Sequence, residues 1–294
     1  MMAQADTPAV RQEPPRSARA RGWIATVTPL EFVVTTLLCL IVGAALIGPF
    51  IAPASIYDSD IMKSLEPPSA KYWLGTDDQG RDVFWRIVAG SRESLLSAML
   101  IVAGYSSVGV LVATIAAVGG RWVDEALMRI TDTVLALPSM LVALGFAAAL
   151  GPSLRSAIIA MILVGWPATA RLLRGIMRET MAMPYVDSAR VLGVSRFRLM
   201  VHHVLPNSLD VLIVKWAADI GFTILVLGGL SFIGVGAQPP SAEWGAMVTQ
   251  AKAYITTAWW AALFPGFAIA LTATVFGLFG EILQVRRNPM LRDA

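Results

Sequence analysis

Long apolar runs dominate this sequence, and they restrict what the chain can fold into. Each run approaches the roughly 20 residues that an α-helix needs to cross the hydrocarbon core of a bilayer. Because lipid offers no hydrogen-bond partner to backbone groups, a spanning segment of this length is expected to be helical. The runs cover residues 32–51, 95–118, 133–150, 154–170, 211–233 and 259–282. We therefore predict an all-α, polytopic membrane protein with about six transmembrane helices.

The composition fits a membrane-embedded chain and excludes several other classes. Hydrophobic residues make up 56% and charged residues 15% of the sequence, whereas soluble domains carry about 25% charged residues. The single cysteine, Cys39, excludes an intrachain disulfide and a cysteine-rich metal site. His202 and His203 are adjacent and have no acidic neighbour that would complete a metal site. The net charge of +3 is small, and we expect no nucleic-acid partner.

The basic residues predict how the chain is oriented in the bilayer. Arginines cluster before the first span, between the second and third, between the fourth and fifth, and after the sixth, and all four clusters fall on one side. Because loops rich in Lys and Arg remain in the cytosol, both termini are predicted to be cytosolic. The predicted organisation is a disordered tail at 1–29, a transmembrane domain at 30–285 with outer loops at 52–94 and 234–258 and a cytosolic loop at 171–208, and a C-terminal tail at 286–294.

A polar segment between the fourth and fifth spans predicts a small helical unit. Tyr185, Ala189 and Leu192 fall on one face of a helix at the α-helical period. Gly193 is placed to end that helix in the left-handed conformation. A second short helix and a stop at Pro206 are expected to follow.

Two further polar features lie in or near the spans. Asp82 is expected to cap the helix that leads into the second span, after a glycine-punctuated turn in the first outer loop. Lys215 and Asp219 are four residues apart in the fifth span, so they share one helix face and can pair. Charges inside a span usually face a cavity or a partner, which makes the pair a candidate for a translocation path. The alternative is a self-neutralised pair near the cytosolic end, with Lys215 extending to the interface.

Catalytic motifs are absent from the sequence. It contains no Gly-x4-Gly-Lys-Ser/Thr loop for nucleotide phosphates, no Gly-x-Ser-x-Gly elbow and no His-Glu-x2-His helix. We predict that the chain has no catalytic residues, is not an enzyme and must obtain energy through a partner. Two rival classes are an ion-coupled secondary transporter and an intramembrane enzyme. The first would need internal repeats and the second convergent polar pairs, and neither is evident.

The polar segment resembles the cytoplasmic loop of ATP-binding-cassette (ABC) importer permeases. That pattern is Glu-Ala-Ala, three residues, Gly, nine residues, Ile, one residue, Leu-Pro. The matching positions here are Asp187, Ser188, Ala189, Gly193, Leu205 and Pro206. His203 occupies the Ile position and departs from the pattern. The resemblance implies that these residues, with Tyr185, contact an ATPase subunit.

The first outer loop resembles the Leu-Gly-Thr-Asp, two residues, Gly-Arg-Asp signature of dipeptide, oligopeptide and nickel permeases of the C type. The matching residues are Gly75, Thr76, Asp77, Gly80, Arg81 and Asp82. Similarity to this family extends from about residue 30 to the C-terminus. Many members carry an acidic residue before the Leu-Ser-Phe motif, whereas this chain has an apolar run at 225–229.

The family resemblance implies a fold, a location and a set of partners. The fold is that of a MetI-like permease of a type I ABC importer in the bacterial inner (plasma) membrane. The chain would form half of the translocation pathway with a homologous second permease. Two ATP-binding subunits would bind ATP and Mg²⁺, so this chain needs no cofactor, and an extracytoplasmic solute-binding protein would deliver substrate. Dipeptides or oligopeptides are the leading substrates, with nickel chelates, glutathione or another small solute as alternatives.

Overall fold

The computed structural model describes residues 28–287, together with the side chains of all of these except Ser55 and Arg196. Most of the two predicted tails therefore lies outside the described residues. Within the described range the chain is built from helices joined by short turns and 3₁₀ segments. In chain order these are α1 (Pro29–Ile51), α2 (Val83–Val118), α3 (Arg121–Leu135), α4 (Ser139–Leu150), α5 (Leu154–Met181), α6 (Pro184–Val191), α7 (Arg196–Leu199), α8 (Leu205–Ile233), α9 (Trp244–Ala251) and α10 (Trp260–Arg287).

The long helices agree with the predicted spans. Five segments within residues 28–287 are long and apolar enough to cross a membrane: α1, α2, α5, the run Phe197–Ile233 that contains α8, and α10. Helix α2 begins at Val83 and α5 ends at Met181, so both extend well beyond the apolar windows that defined the predictions. The extensions carry charged side chains such as Arg86 and Arg174, whose partners lie elsewhere in the fold.

The predicted third span, 133–150, is wrong as a single helix. The chain forms α3 and α4 instead, and their axes differ by 86° across residues 136–138. Pro138 causes the break, because it lacks the N–H that would continue the hydrogen-bond ladder and because it disfavours helical geometry in Leu137. Counted together, α3 and α4 would be the sixth span.

The predicted stop at Pro206 is also wrong. Met200–Val204 forms a π-helical turn that runs directly into α8, and the helical run continues from Phe197 to Ile233. Pro206 lies in the first turn of α8 directly after the π-helical turn, so its missing N–H falls where the hydrogen-bond pattern changes from π to α.

The core of the bundle is formed by α2, α4, α5 and α8. The buried side chains of the central cluster are Ile101, Val102, Tyr105, Ala143, Ala157, Met161, Val164, Leu227 and Leu230. Helix α10 packs closely on α8, where a Cβ on Gly221 would lie 2.6 Å from the Ala273 carbonyl oxygen. Helix α1 lies against α2 and α10, and the Glu31 carboxylate accepts two hydrogen bonds of 2.9 Å from Arg286.

Two ends of the bundle are distinguished by their polar residues. The basic end carries Arg171, Arg174 and Arg178 of α5, the helices α6 and α7, and the last turn of α10. The signature end carries residues 54–82, the start of α2, and the segment 241–254 that contains α9. The candidate functional residues divide among these two ends and the middle of α8.

Candidate functional site

Helices α6 and α7 form a unit, which we name the coupling loop (residues 184–199), whose base is buried in the bundle at the basic end. Val186 is fully buried. It packs in a cluster whose other buried members are Ala113, Leu173, Met177, Leu199, Met200, Val204 and Leu212. The Asn207 side-chain amide donates to the Tyr185 hydroxyl at 3.0 Å, so α6 is also joined to α8 by a hydrogen bond. The base therefore links the loop to α2, α5 and α8.

The turn between α6 and α7 requires glycine, as predicted. Gly193 has φ = +80°, a left-handed conformation. Its amide donates to the Arg190 carbonyl at 2.9 Å, and the Val194 amide donates to the Ala189 carbonyl at 3.2 Å. These two bonds and the left-handed residue constitute a Schellman motif. The motif sets the direction in which the chain leaves α6.

The tip of the coupling loop exposes apolar side chains. Val191 is 88% exposed, Leu192 83% and Phe197 67%. Of the face predicted from helical spacing, Ala189 is half-buried, whereas Tyr185 and Leu192 are exposed. The inward-facing residue is Val186, which the sequence prediction missed, although it lies three residues before Ala189 and both pack on the same cluster.

The other matched positions of the loop have local roles in this structure. Asp187 forms an exposed ion pair with Arg190 at 2.9 Å. The Ser188 hydroxyl donates to the Pro184 carbonyl at 3.0 Å, within α6. Leu205 is half-buried and Pro206 is exposed at the start of α8.

Lys215 and Asp219 pair as predicted, and a third residue joins them. Lys215 donates a hydrogen bond to the Asp219 carboxylate. The Tyr105 hydroxyl of α2 donates to the same carboxylate oxygen at 2.6 Å, and the Lys215 ammonium lies 5.7 Å from the Tyr105 ring centroid. Asp219 lies midway along α8, so the pair is not at the end of the span. We name these three residues the polar site.

The polar site is not sealed. The Lys215 and Asp219 side chains are 22% and 19% exposed. A groove of about 680 Å³ between α8 and α10 reaches Lys215 from the basic end, and its charged lining also includes Asp210, Glu281 and Arg287. A solute or water entering from that end therefore meets charges of both signs.

Removal of Asp219 alone is expected to reduce complex yield and transport more than removal of both Lys215 and Asp219. Asp219→Ala leaves the Lys215 ammonium without its counter-ion, which costs about 3–5 kcal/mol for a fully buried pair and less here because both groups are partly exposed. The double variant Lys215→Ala with Asp219→Ala removes that penalty. Complex yield and transport, measured in a double-mutant cycle, should therefore be lower for Asp219→Ala than for the double variant. Strictly additive losses would mean that the two residues act independently.

The six residues of the outer signature form a compact turn at the signature end. Gly75 and Gly80 both have φ = +74°. The Asp77 carboxylate accepts hydrogen bonds from the amides of Gln79 and Arg81 and from the Arg81 guanidinium, at 2.8–3.0 Å. Thr76 is fully buried, and its carbonyl accepts from the Trp260 indole at 3.1 Å. The turn is thereby attached to α10.

Asp82 caps α2, as predicted. Its carboxylate accepts from the Phe84 amide at 2.9 Å and the Trp85 amide at 3.3 Å. Burial raises the pKa of Asp82, and the two amides oppose that rise because they stabilise the ionised form. Burial likewise raises the pKa of Glu243, whose carboxylate accepts from the first amides of α9.

Arg86 is the signature-end residue that sequence reasoning missed. Its side chain is fully buried. It donates to the carbonyls of Ile56 at 3.2 Å and Ser241 at 3.0 Å, and its Nε lies 3.5 Å from the Asp77 carboxylate. Arg86 therefore joins the first outer loop, α2 and the segment before α9. The sequence does contain a signal for Arg86, since it is a charged residue next to an otherwise apolar span.

Residues 28–287 contain no cluster of metal-binding side chains. No group of three or more His, Cys, Asp or Glu side chains in that range is placed to hold a metal ion.

Comparison with known proteins identifies the family. Residues 109–293 match the model of the binding-protein-dependent transport system inner membrane component. The chain is 40% identical to the probable D,D-dipeptide transport system permease protein of Escherichia coli K12, over 98% of both chains. It is 38% identical to a dipeptide transport system permease protein of Alkalihalophilus pseudofirmus, over 85% of this chain and 82% of the relative. It is 36% identical to a glutathione transport system permease protein of Pectobacterium atrosepticum, over 78% and 76%.

These matches confirm the resemblance stated from the sequence. They cover the coupling loop and, in the alignment with the Escherichia coli permease, almost the entire chain. The helical architecture of residues 28–287, with five or six candidate spans, is the architecture that the resemblance implied. The chain belongs to the family of binding-protein-dependent transport system inner membrane components.

Proposed function

We propose that this chain is one of two permease subunits of an ABC importer for dipeptides or oligopeptides. The observation that carries the proposal is the coupling loop, with its base buried among three spanning helices and its tip apolar and exposed. An exposed cluster of large apolar side chains on a polar end of a protein usually marks a binding surface for another protein. The peptide permeases among its relatives support the substrate class.

In this proposal the tip of the coupling loop binds an ATPase subunit. ATP and Mg²⁺ are bound by the two partner ATPases and not by this chain. Closure of the ATPases moves the tip, and the buried base around Val186 transmits the movement to α5 and α8. A packed base moves as a rigid body, since protein interiors have few voids that would absorb the displacement.

A reconstituted complex tests the proposed function. Uptake of a labelled dipeptide into proteoliposomes should require the second permease, both ATPases, ATP and the solute-binding protein. Uptake that persists without the ATPases and follows an ion gradient would favour an ion-coupled carrier instead. The glutathione permease among the relatives makes glutathione the second candidate substrate. The reduction of labelled-dipeptide uptake by unlabelled glutathione measures how well glutathione competes as a substrate.

We further propose that the basic end faces the cytosol of a bacterial cell and that both termini lie on that side. Arginines at this end support the orientation, among them Arg171, Arg174, Arg178, Arg286 and Arg287. The signature end then faces outward, where a solute-binding protein delivers substrate. Its aromatic side chains, including Trp73 and Trp259, suit the membrane–water interface.

The orientation is tested by cysteine labelling. In a Cys39→Ser background, a Ser195→Cys variant places one thiol on the coupling loop. An impermeant maleimide should label it in inverted vesicles and leave it unlabelled in intact cells. A Ser69→Cys variant in the exposed part of the first outer loop is the matched control and should show the reverse pattern. Labelling of Ser195→Cys in intact cells would contradict the proposed orientation.

A further inference from the structure

The break between α3 and α4 leaves backbone groups without partners. Across residues 28–287, no hydrogen bond involves the carbonyl oxygens of Leu135 and Ala136 or the amides of Ser139 and Met140. Residues 136–138 are all exposed on the surface of this chain. An unpaired backbone group is satisfied only by water or by another polar group.

The break lies at membrane depth. On its α3 side, Asp132 pairs with Arg171 of α5. On its α4 side, Ala143 packs in the same cluster as Ala157 and Met161, near the other end of α5. Residues 136–138 therefore lie at an intermediate level, beside the apolar part of α5 that qualifies that helix as a span.

Irregular backbone at this depth does not face lipid. In known membrane proteins, broken helices occur within the hydrocarbon region only where they are covered by protein or line a water-filled cavity. The unpaired backbone groups at the break must therefore contact either water or the second permease subunit. Tyr105 of the polar site belongs to the same buried cluster as Ala143, so the break and the polar site occupy neighbouring layers of one bundle.

We propose that residues 136–138 border the water-filled solute path. One hydrated path then solvates both the partly exposed Asp219 and the unpaired carbonyls and amides of the break. The exposed Asp132–Arg171 pair, 54% and 55% exposed, continues the hydrated surface toward the basic end. The inference rests on the proposed permease function, and it adds a stretch of backbone that meets the solute.

Thiol accessibility in the intact complex tests the proposal. Leu137→Cys is prepared in a Cys39→Ser background, with Ala136→Cys as a second variant if the first does not assemble. Leu40→Cys in α1 is the lipid-facing control, and Leu40 and Leu137 are comparably exposed, at 64% and 51%. The probe is a charged, water-soluble methanethiosulfonate, which reacts with the thiolate, and the complex without a cysteine in this chain is the blank.

Leu137→Cys should react with the charged reagent about a hundredfold faster than Leu40→Cys, because a thiol in hydrocarbon stays protonated. The rate at Leu137→Cys should also change when the ATPases are trapped with ATP. Equal, slow rates at both positions would overturn the proposal. In that case an apolar maleimide distinguishes the two remaining environments of Leu137→Cys. The maleimide reacts if lipid surrounds the thiol, and it does not react if the second permease covers the thiol. Peptide uptake by the unmodified complex is measured separately, so that a failure of the proposed peptide import is distinguished from a failure of the proposed path.

Discussion

Replacement of Gly193 by proline is expected to uncouple ATP hydrolysis from transport while the complex still assembles. Proline fixes φ near −65°, whereas Gly193 has φ = +80°. The substitution also removes the amide that donates to the Arg190 carbonyl. The Schellman motif is lost, and Val191 and Leu192 no longer keep their position relative to α7. Because the buried base around Val186 is unaffected, we expect insertion and folding to be retained.

Transport should fall at least about tenfold in this variant, which corresponds to a loss of about 1.4 kcal/mol in productive docking. Peptide uptake and the ATPase activity stimulated by the binding protein are measured together in proteoliposomes. Gly193→Ala is the matched control. No atom lies within 4 Å of the position that its Cβ would occupy. Alanine therefore meets only backbone strain of roughly 1–2 kcal/mol, and a milder defect is expected. Wild-type coupling in Gly193→Pro would show that the turn does not transmit the movement.

Replacement of Asp77 by alanine is expected to destabilise the signature end more than any other single carboxylate removal there. The Asp77 side chain lies between two guanidinium groups, and the Arg81 and Arg86 side chains are 3% and 0% exposed. Without Asp77 both arginines lose their nearest counter-ion in a buried setting. Breaking a buried pair in this way costs about 3–5 kcal/mol. The melting temperature of the purified complex should then fall by about 10 °C.

Asp60→Ala is the control for Asp77→Ala. Asp60 forms an ion pair with Lys63 in the same loop, but the Lys63 and Asp60 side chains are 39% and 43% exposed. Exposed pairs contribute at most about 1 kcal/mol, so this variant should melt close to the wild type. Similar melting temperatures for the two variants would mean that the Asp77 cluster does not hold the signature end together. Thermal unfolding monitored by tryptophan fluorescence is a suitable measurement.

Sequence patterns predicted the spans well where each one is a single uninterrupted helix. The apolar runs located α1, α5, α8 and α10, although they missed the polar turns that extend α2 and α5. Hydropathy underestimates such ends because it scores Arg86 as solvent-exposed, whereas this side chain is buried against two carbonyls. The Gly193 turn and the Asp82 cap were predictable because both depend on residues within a few positions along the chain.

Sequence patterns did not predict the break in the third span or the third member of the polar site. Pro138 was visible in the sequence, but a proline in a span is compatible with either a mild kink or a break. The bend of 86° is decided by the partners of its two halves, since α3 pairs with α5 through Asp132 while α4 enters the central cluster. Nothing in the sequence indicated that the Tyr105 hydroxyl donates to Asp219, because 114 residues separate the two.

The sequence by itself determined that this chain is a helical membrane protein, which family it belongs to, and where the Gly193 turn and the Asp82 cap lie. These properties follow from the lengths of apolar runs and from short-range backbone preferences, which act over a few residues. Only the tertiary structure decided which charges are paired, which faces are exposed and where the third span breaks. Those outcomes depend on contacts between helices distant in sequence, and their energies are set by burial and geometry that no local pattern contains.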